Sequence, residues 1–143
     1  MPKFMRNINT VSRCAAIFRA EKLIELGPCH HGYIIAICKN PGILQDRLAK
    51  ELCVNKSNVT RSLATLEELG YVERRQSEED KRAILVYPTE RALAILPSVR
   101  SVIREWNEYL TEGLDEGELE QFAATLARIT ERARKYYEEK EKI

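Results

Sequence analysis

The 143-residue sequence predicts a mainly α-helical fold with one small β-hairpin. Two observations predict it. Apolar residues recur at steps of three and four through most of the chain, the spacing of a helix face. That rhythm breaks once, after Gly70, where two short apolar runs bracket the polar residues 76–82. A hydrophobic share of 44% beside 31% charged residues fits one globular core. No run of 18 apolar residues offers a transmembrane span. The N-terminus lacks the apolar stretch of a signal peptide. A cytoplasmic address is therefore expected, with Cys14, Cys29, Cys38 and Cys53 as free thiols, none of them in a C-x-x-C pair.

Each element has its own signal. Residues 6–26 place Ile8, Val11, Ala15 and Phe18 on one helical face, and Gly27-Pro28 ends the run. Residues 30–39 carry Tyr33, Ile34, Ile37 and Cys38, a short buried helix closed by Asn40-Pro41-Gly42. Residues 44–52 put Leu44, Leu48, Ala49 and Leu52 on one face, and Cys53-Val54-Asn55 is a connector. Residues 56–69 align Val59, Leu63, Leu66 and Leu69. Asn55 is suited to cap that helix and Gly70 to stop it. Residues 71–75 and 83–87 read as the two strands of the hairpin. Thr89 caps a further helix running past Val99, Val102 and Trp106, with Pro97 expected to kink or interrupt it. A last helix, capped by Asp115, carries Leu119, Phe122, Leu126, Ile129 and Tyr136. Its charged end, residues 137–143, is expected to fray.

Net charge is only +1, so composition alone does not announce a polyanion binder. Placement says more. Residues 44–91 hold nine Lys/Arg and nine Asp/Glu, but the basic residues gather at two places. Two short helices, a three-residue connector and a following hairpin make a winged helix-turn-helix. A helix that enters the major groove of duplex DNA needs small polar and basic residues in its first turns, with its apolar stripe behind. Residues 56–62 fit. Val59 faces inward, while Lys56, Ser57, Asn58, Thr60, Arg61 and Ser62 remain for DNA. Asn and Arg suit base edges; the hydroxyls suit phosphate. The hairpin adds Arg74 and Arg75 on its incoming strand and Lys81 and Arg82 at its tip, where a narrow minor groove attracts arginine.

As a set, these stretches resemble the MarR family of bacterial winged helix-turn-helix transcriptional regulators. The carrying motifs are Lys56-Ser57-Asn58-Val59-Thr60-Arg61, Leu66-Glu67-Glu68-Leu69-Gly70-Tyr71-Val72-Glu73-Arg74, Asp80-Lys81-Arg82 and Pro88-Thr89-Glu90. Three positions depart from the family pattern. Cys53 stands where the turn often has Gly, Pro88 replaces a Leu, and Ala92 replaces a Gly. The resemblance implies a single domain over residues 1–143: a winged DNA-binding part at about 28–90, with dimerisation helices in 1–27 and 91–143. It implies a homodimer, Arg82 in the minor groove, and Asp80 supporting the wing. Unpartnered apolar faces at 6–26, 98–110 and 115–137 argue for a dimer independently. A twofold dimer calls for an inverted-repeat operator with half-sites about 10 base pairs apart.

The expected function is sequence-specific double-stranded DNA binding by a regulator, in the sense of a repressor released by an effector. Small phenolic or aromatic effectors are common in the resembling family, and Phe18, His30, Tyr33 and Ile37 are candidates to line a pocket. Two other signals stay open within the same fold. Cys14, near Arg13 and Arg19, is a candidate redox thiol, and Cys29, His30, His31 and Cys38 are a candidate zinc set. A protein-interaction module that does not bind DNA is a further alternative. No cofactor is expected. With no G-x-S-x-G, P-loop or G-x-G-x-x-G, and adjacent histidines only, no enzyme is expected.

Overall fold

The computed structural model of the protein describes residues 2–141. Its elements run α1 (Phe4–Lys22), α2 (His31–Lys39), β1 (Ile43–Leu44), α3 (Gln45–Leu52), α4 (Lys56–Glu68), β2 (Val72–Gln76), β3 (Ile84–Pro88), α5 (Glu90–Leu110) and α6 (Glu116–Glu141). The chain forms two compact units, divided between Trp106 and Asn107.

The first unit holds the core. Ile34 and Ile37 of α2, Leu48 of α3, Val59, Leu63 and Leu66 of α4, Tyr71, Val86 of β3 and Val99 of α5 are fully buried together. Three sequence expectations change here. First, α1 stops at Lys22 and not at residue 26. Leu23 and Leu26 still reach the core, from a turn closed by Leu26 N–H and Gly27 N–H on the Leu23 carbonyl. The apolar run continues past the helix because the turn, too, has a buried side. Second, the hairpin is two strands of a three-stranded antiparallel sheet of order β1-β3-β2. Ile43 pairs with Val86 and Leu44 with Leu85. Leu44 is thus extended (ψ 136°) and precedes α3, where the periodicity had placed it inside the helix. Third, α5 runs unbroken through Pro97. Pro97 lies on the exposed side, where water can satisfy the carbonyl that the ring leaves unpaired.

Both helices of the helix-turn-helix end in the same hydrogen-bond pattern. After α4, Gly70 N–H donates to Glu67 O (3.0 Å) and Tyr71 N–H to Leu66 O (2.9 Å), with Gly70 at φ +82°. After α3, Cys53 N–H donates to Lys50 O (3.3 Å) and Val54 N–H to Ala49 O (3.1 Å). These are Schellman closures, which need a left-handed residue. Cys53 supplies it at φ 53°, the one non-glycine with positive φ among the described residues. The turn therefore keeps its geometry without glycine, at a backbone cost of about 1–2 kcal/mol. Arg91 fastens the same region. Its guanidinium lies 4.5 Å over the Tyr71 ring, donates to Leu69 O and pairs with Glu25 at 3.4 Å.

In the second unit, α6 opens with a capping box. Glu118 N–H donates to Asp115 Oδ1 at 2.8 Å, and Asp115 N–H reaches back to Glu118 Oε1 at 3.5 Å. The helix persists through the charged stretch to Glu141, where fraying had been expected; Lys142 and Ile143 lie outside the described residues. None of the residues of α6 is buried. Phe122, Ile129 and Tyr136, seven residues apart, are 60%, 42% and 64% exposed.

Candidate nucleic-acid interface

Asn55 begins the site. Its side-chain oxygen accepts from Asn58 N–H (2.7 Å) and from Ser57 Oγ (2.8 Å), as an N-cap should. That cap fixes where α4 starts and so which side chains fill its first two turns. Val59 is fully buried; Lys56, Ser57, Asn58, Thr60 and Arg61 are exposed, and Ser62 is half-buried. The inward–outward division expected from the sequence holds.

The polar side chains differ in how far they are already engaged. Thr60 Oγ1 donates to Lys56 O (3.0 Å) and accepts from Gln45 Nε2 of α3 (3.1 Å). Asn58 Oδ1 accepts from Tyr33 Oη of α2 (3.0 Å) and from Ser62 Oγ (3.4 Å). Lys56 Nζ lies 3.7 Å from Asp46, an exposed pair worth about 0–1 kcal/mol and easily exchanged for phosphate. The guanidinium of Arg61 has no partner among the described residues.

The wing is tied to α4 by Glu67. Its Oε1 takes Arg74 Nη2 at 3.0 Å and its Oε2 takes Arg74 N–H at 3.1 Å. The Arg74 hydrogen bond holds the Glu67 carboxyl below the usual carboxylate range. Arg74 is half-buried, and it braces β2 against α4. Arg75 donates to Glu73 (3.0 Å) and lies 4.5 Å over the Tyr87 ring, so the hydrogen bond lowers the Glu73 pKa and raises that of Arg75. The tip is organised by Asp80. Its Oδ1 accepts from Arg82 N–H (3.0 Å), and its carbonyl accepts from Ala83 N–H (2.9 Å). Lys81 and Arg82 project from that turn, the Arg82 side chain 95% exposed. Gln45 and Glu67 were not singled out by the sequence. Glu67 was legible only as part of its motif, and Gln45 carried no signal.

The effector candidates do not form a common set of surface groups. Tyr33 and Ile37 are core residues at 5% and 0% exposure. Phe18 stacks on Trp106 at 5.2 Å. His30 donates through Nδ1 to Leu26 O (2.9 Å) and meets Tyr33 edge-on. All four cysteines are free thiols, as expected. Cys14, the candidate redox thiol, is exposed on α1. The zinc alternative requires correction. Among the described residues no three His, Cys, Asp or Glu converge on a metal position. His30 is engaged with Leu26, while burial followed by the nearby Arg19 charge holds His31 down at about 4, a shift that keeps its ring neutral and does not itself argue against a metal. Burial also pushes the Cys38 thiol up, the wrong direction for a thiolate ligand. No helix among the described residues is long and apolar enough to cross a membrane.

Comparison with known proteins agrees with this geometry. The MarR family pattern matches residues 25–83. The uncharacterised HTH-type transcriptional regulator YybA of Bacillus subtilis is 28% identical over 131 residues, 90% of this chain and 87% of its own. The crystal structure of the transcriptional regulator SlyA superposes with a TM-score of 0.90 at 25% identity, covering 96% of this chain and 98% of that one. A cysteine-to-serine variant of E. coli MarR, solved with operator DNA, gives a TM-score of 0.78 at 26% identity over 87% of this chain and 91% of its own. Helix-turn-helix, wing and flanking helices, together with these likenesses, make the chain similar to winged helix-turn-helix transcriptional regulators of the MarR family, whose pattern it matches over residues 25–83.

Proposed function

We propose that the protein is a transcriptional regulator that binds double-stranded DNA sequence-specifically as a homodimer. In this reading α4 lies in the major groove and the wing arginine enters the adjacent minor groove. The observation that carries it is two exposed cations on one braced frame: Arg61, without a partner among the described residues, on the outer face of α4, and Arg82, held only by an exposed 3.6 Å pair with Asp80, at the wing tip, with Glu67 and Arg74 joining helix to wing. Lys56, Ser57, Asn58, Thr60, Ser62, Arg75 and Lys81 complete the interface, and Arg74 serves it from behind. The operator complex of E. coli MarR supports the same use of the fold.

The dimer rests on α6. A helix of 26 residues with nothing buried and an apolar stripe at Phe122, Ile129 and Tyr136 needs a cover, and a second copy offers the matching stripe. Exposed Phe4, Met5, Ile8 and Val11 on α1 extend the apolar supply. Twofold symmetry then calls for an inverted-repeat operator. Repression by occlusion, release by a small phenolic or aromatic effector sensed near Phe18, His30, Tyr33 and Ile37, and a cytoplasmic address complete the proposal. The test is selection of binding sites from a random duplex library, followed by affinity across a salt series. An inverted repeat with log K falling steeply against log salt is expected. Enrichment of no sequence, or salt-independent binding, overturns it.

A further inference from the structure

We infer that Tyr33 is a positioning residue for base reading: its hydroxyl occupies the amide oxygen of Asn58, so that Asn58 meets a base as a hydrogen-bond donor alone. The inference rests on the DNA-binding role proposed above and specifies what one residue of that interface can recognise.

The geometry is specific. Tyr33 lies on α2, 25 residues before Asn58, and is 5% exposed. Its ring is walled by His30, edge-on at 6.4 Å, and its hydroxyl donates to Asn58 Oδ1 at 3.0 Å. Ser62 Oγ, one turn along α4, adds a second donor to the same oxygen at 3.4 Å. An amide oxygen has two lone pairs, and here both face protein donors. The Asn58 backbone N–H is engaged as well, on the Asn55 cap. What Asn58 has left is its Nδ2 group, which has no acceptor among the described residues.

This removes the commonest asparagine code. Bidentate pairing with adenine needs Nδ2 to donate to N7 while Oδ1 accepts from the N6 amino group. With Oδ1 filled, the second half is unavailable. Asn58 is left with base edges that offer acceptors, such as O6 and N7 of guanine. Adenine gains no advantage at the position it faces. Tyr33 thus shapes specificity from the core without touching DNA.

The experiment selects duplexes from a random library with the full-length protein and four variants: Tyr33→Phe, Tyr33→Phe/Ser62→Ala, Asn58→Ala and Tyr33→Phe/Asn58→Ala. Tyr33→Phe keeps the ring in the core and deletes only the hydroxyl, and Ser62→Ala is a small change at a half-buried site. Freeing Oδ1 should raise adenine over guanine at one position per half-site. A bidentate pair is worth about 1–3 kcal/mol, a preference of about 5- to 150-fold. The gain should be largest in the Tyr33→Phe/Ser62→Ala variant and absent from Tyr33→Phe/Asn58→Ala. Superimposable site preferences for wild type and both Asn58-containing variants overturn the inference. So does a wild-type adenine preference that Asn58→Ala erases, or an Asn58→Ala loss that is uniform over all sequences, since that places Asn58 on phosphate. If the wild type enriches no sequence, the DNA-binding proposal itself fails, a result distinct from these.

Discussion

Arg82→Ala tests the wing most directly. The substitution removes a guanidinium whose nearest charge is Asp80, Nε to Oδ1 3.6 Å, on a side chain 95% exposed. An exposed pair of that kind contributes about 0–1 kcal/mol. The hydrogen bonds that shape the tip use the Arg82 and Ala83 backbone and survive the change. Folding stability should therefore stay within about 0.5 kcal/mol of wild type. Binding should change far more. A dimer loses two wing cations, and each contact with the backbone charge contributes about −0.9 to the slope of log K against log salt. The slope should become shallower by about 1.8, so the wild type's advantage shrinks about tenfold over a fourfold rise in salt. Arg82→Lys should keep the slope and lose part of the affinity, because an ammonium lacks the planar fork of arginine. Fluorescence anisotropy on a selected operator across a salt series reads both quantities. Equal affinity and equal slope for Arg82→Ala and wild type refute the wing contact.

Four further outcomes are expected. Arg61→Ala should weaken operator binding by about 1–3 kcal/mol and relax discrimination at one base pair; equal losses on operator and random duplex remove its base-reading role. Cys53→Gly should leave stability equal or raise it by up to about 1 kcal/mol, because relief of left-handed strain outweighs the added backbone entropy; a lowered melting temperature contradicts the strain assigned at φ 53°. Phe122→Asp should shift the protein toward monomer in sedimentation, and an unaltered dimer excludes the α6 stripe from the interface. His31, held at about 4 in the fold, is fully compatible with folding above its ordinary value of 6.5; as pH falls from there toward 4 the unfolded chain takes a proton that the folded chain refuses. Urea unfolding should record a loss on the order of 2 kcal/mol by about pH 5, and His31→Gln should flatten it; an unchanged pH profile in that variant assigns the loss elsewhere.

The elements most legible from the sequence were those with punctuation at both ends. Asn55, the stripe Val59-Leu63-Leu66 and Gly70 defined α4 almost to the residue, and Asp115 marked the start of α6. The outer face of α4 followed from the inner one. Strand β1 was hidden because two residues are too few for alternation to register, and its partner lies 43 positions later, at Val86. Leu23 and Leu26 prolonged a helical rhythm that the backbone had already left. At Pro97 the ring faces water, which the sequence could not state. The links of Tyr33 to Asn58 and of Gln45 to Thr60 join side chains far apart in sequence, so local patterning holds no trace of them. Arg74 was grouped with the other basic residues, yet its engagement with Glu67 gives it a bracing duty that charge alone could not reveal.

The sheet has a consequence for the duplex rather than for the protein. Strand β3 is stitched on one side to the residues that lead into α3 and on the other to the strand that Glu67 clamps, so helix and wing tip form one gauge of set width. If α4 and the wing bind as proposed, such a gauge would measure the spacing between neighbouring grooves. On that proposed mode, untouched steps between the two contacts would be selected for how readily they twist or narrow, and flexible pyrimidine–purine steps there should outcompete stiff ones of equal length.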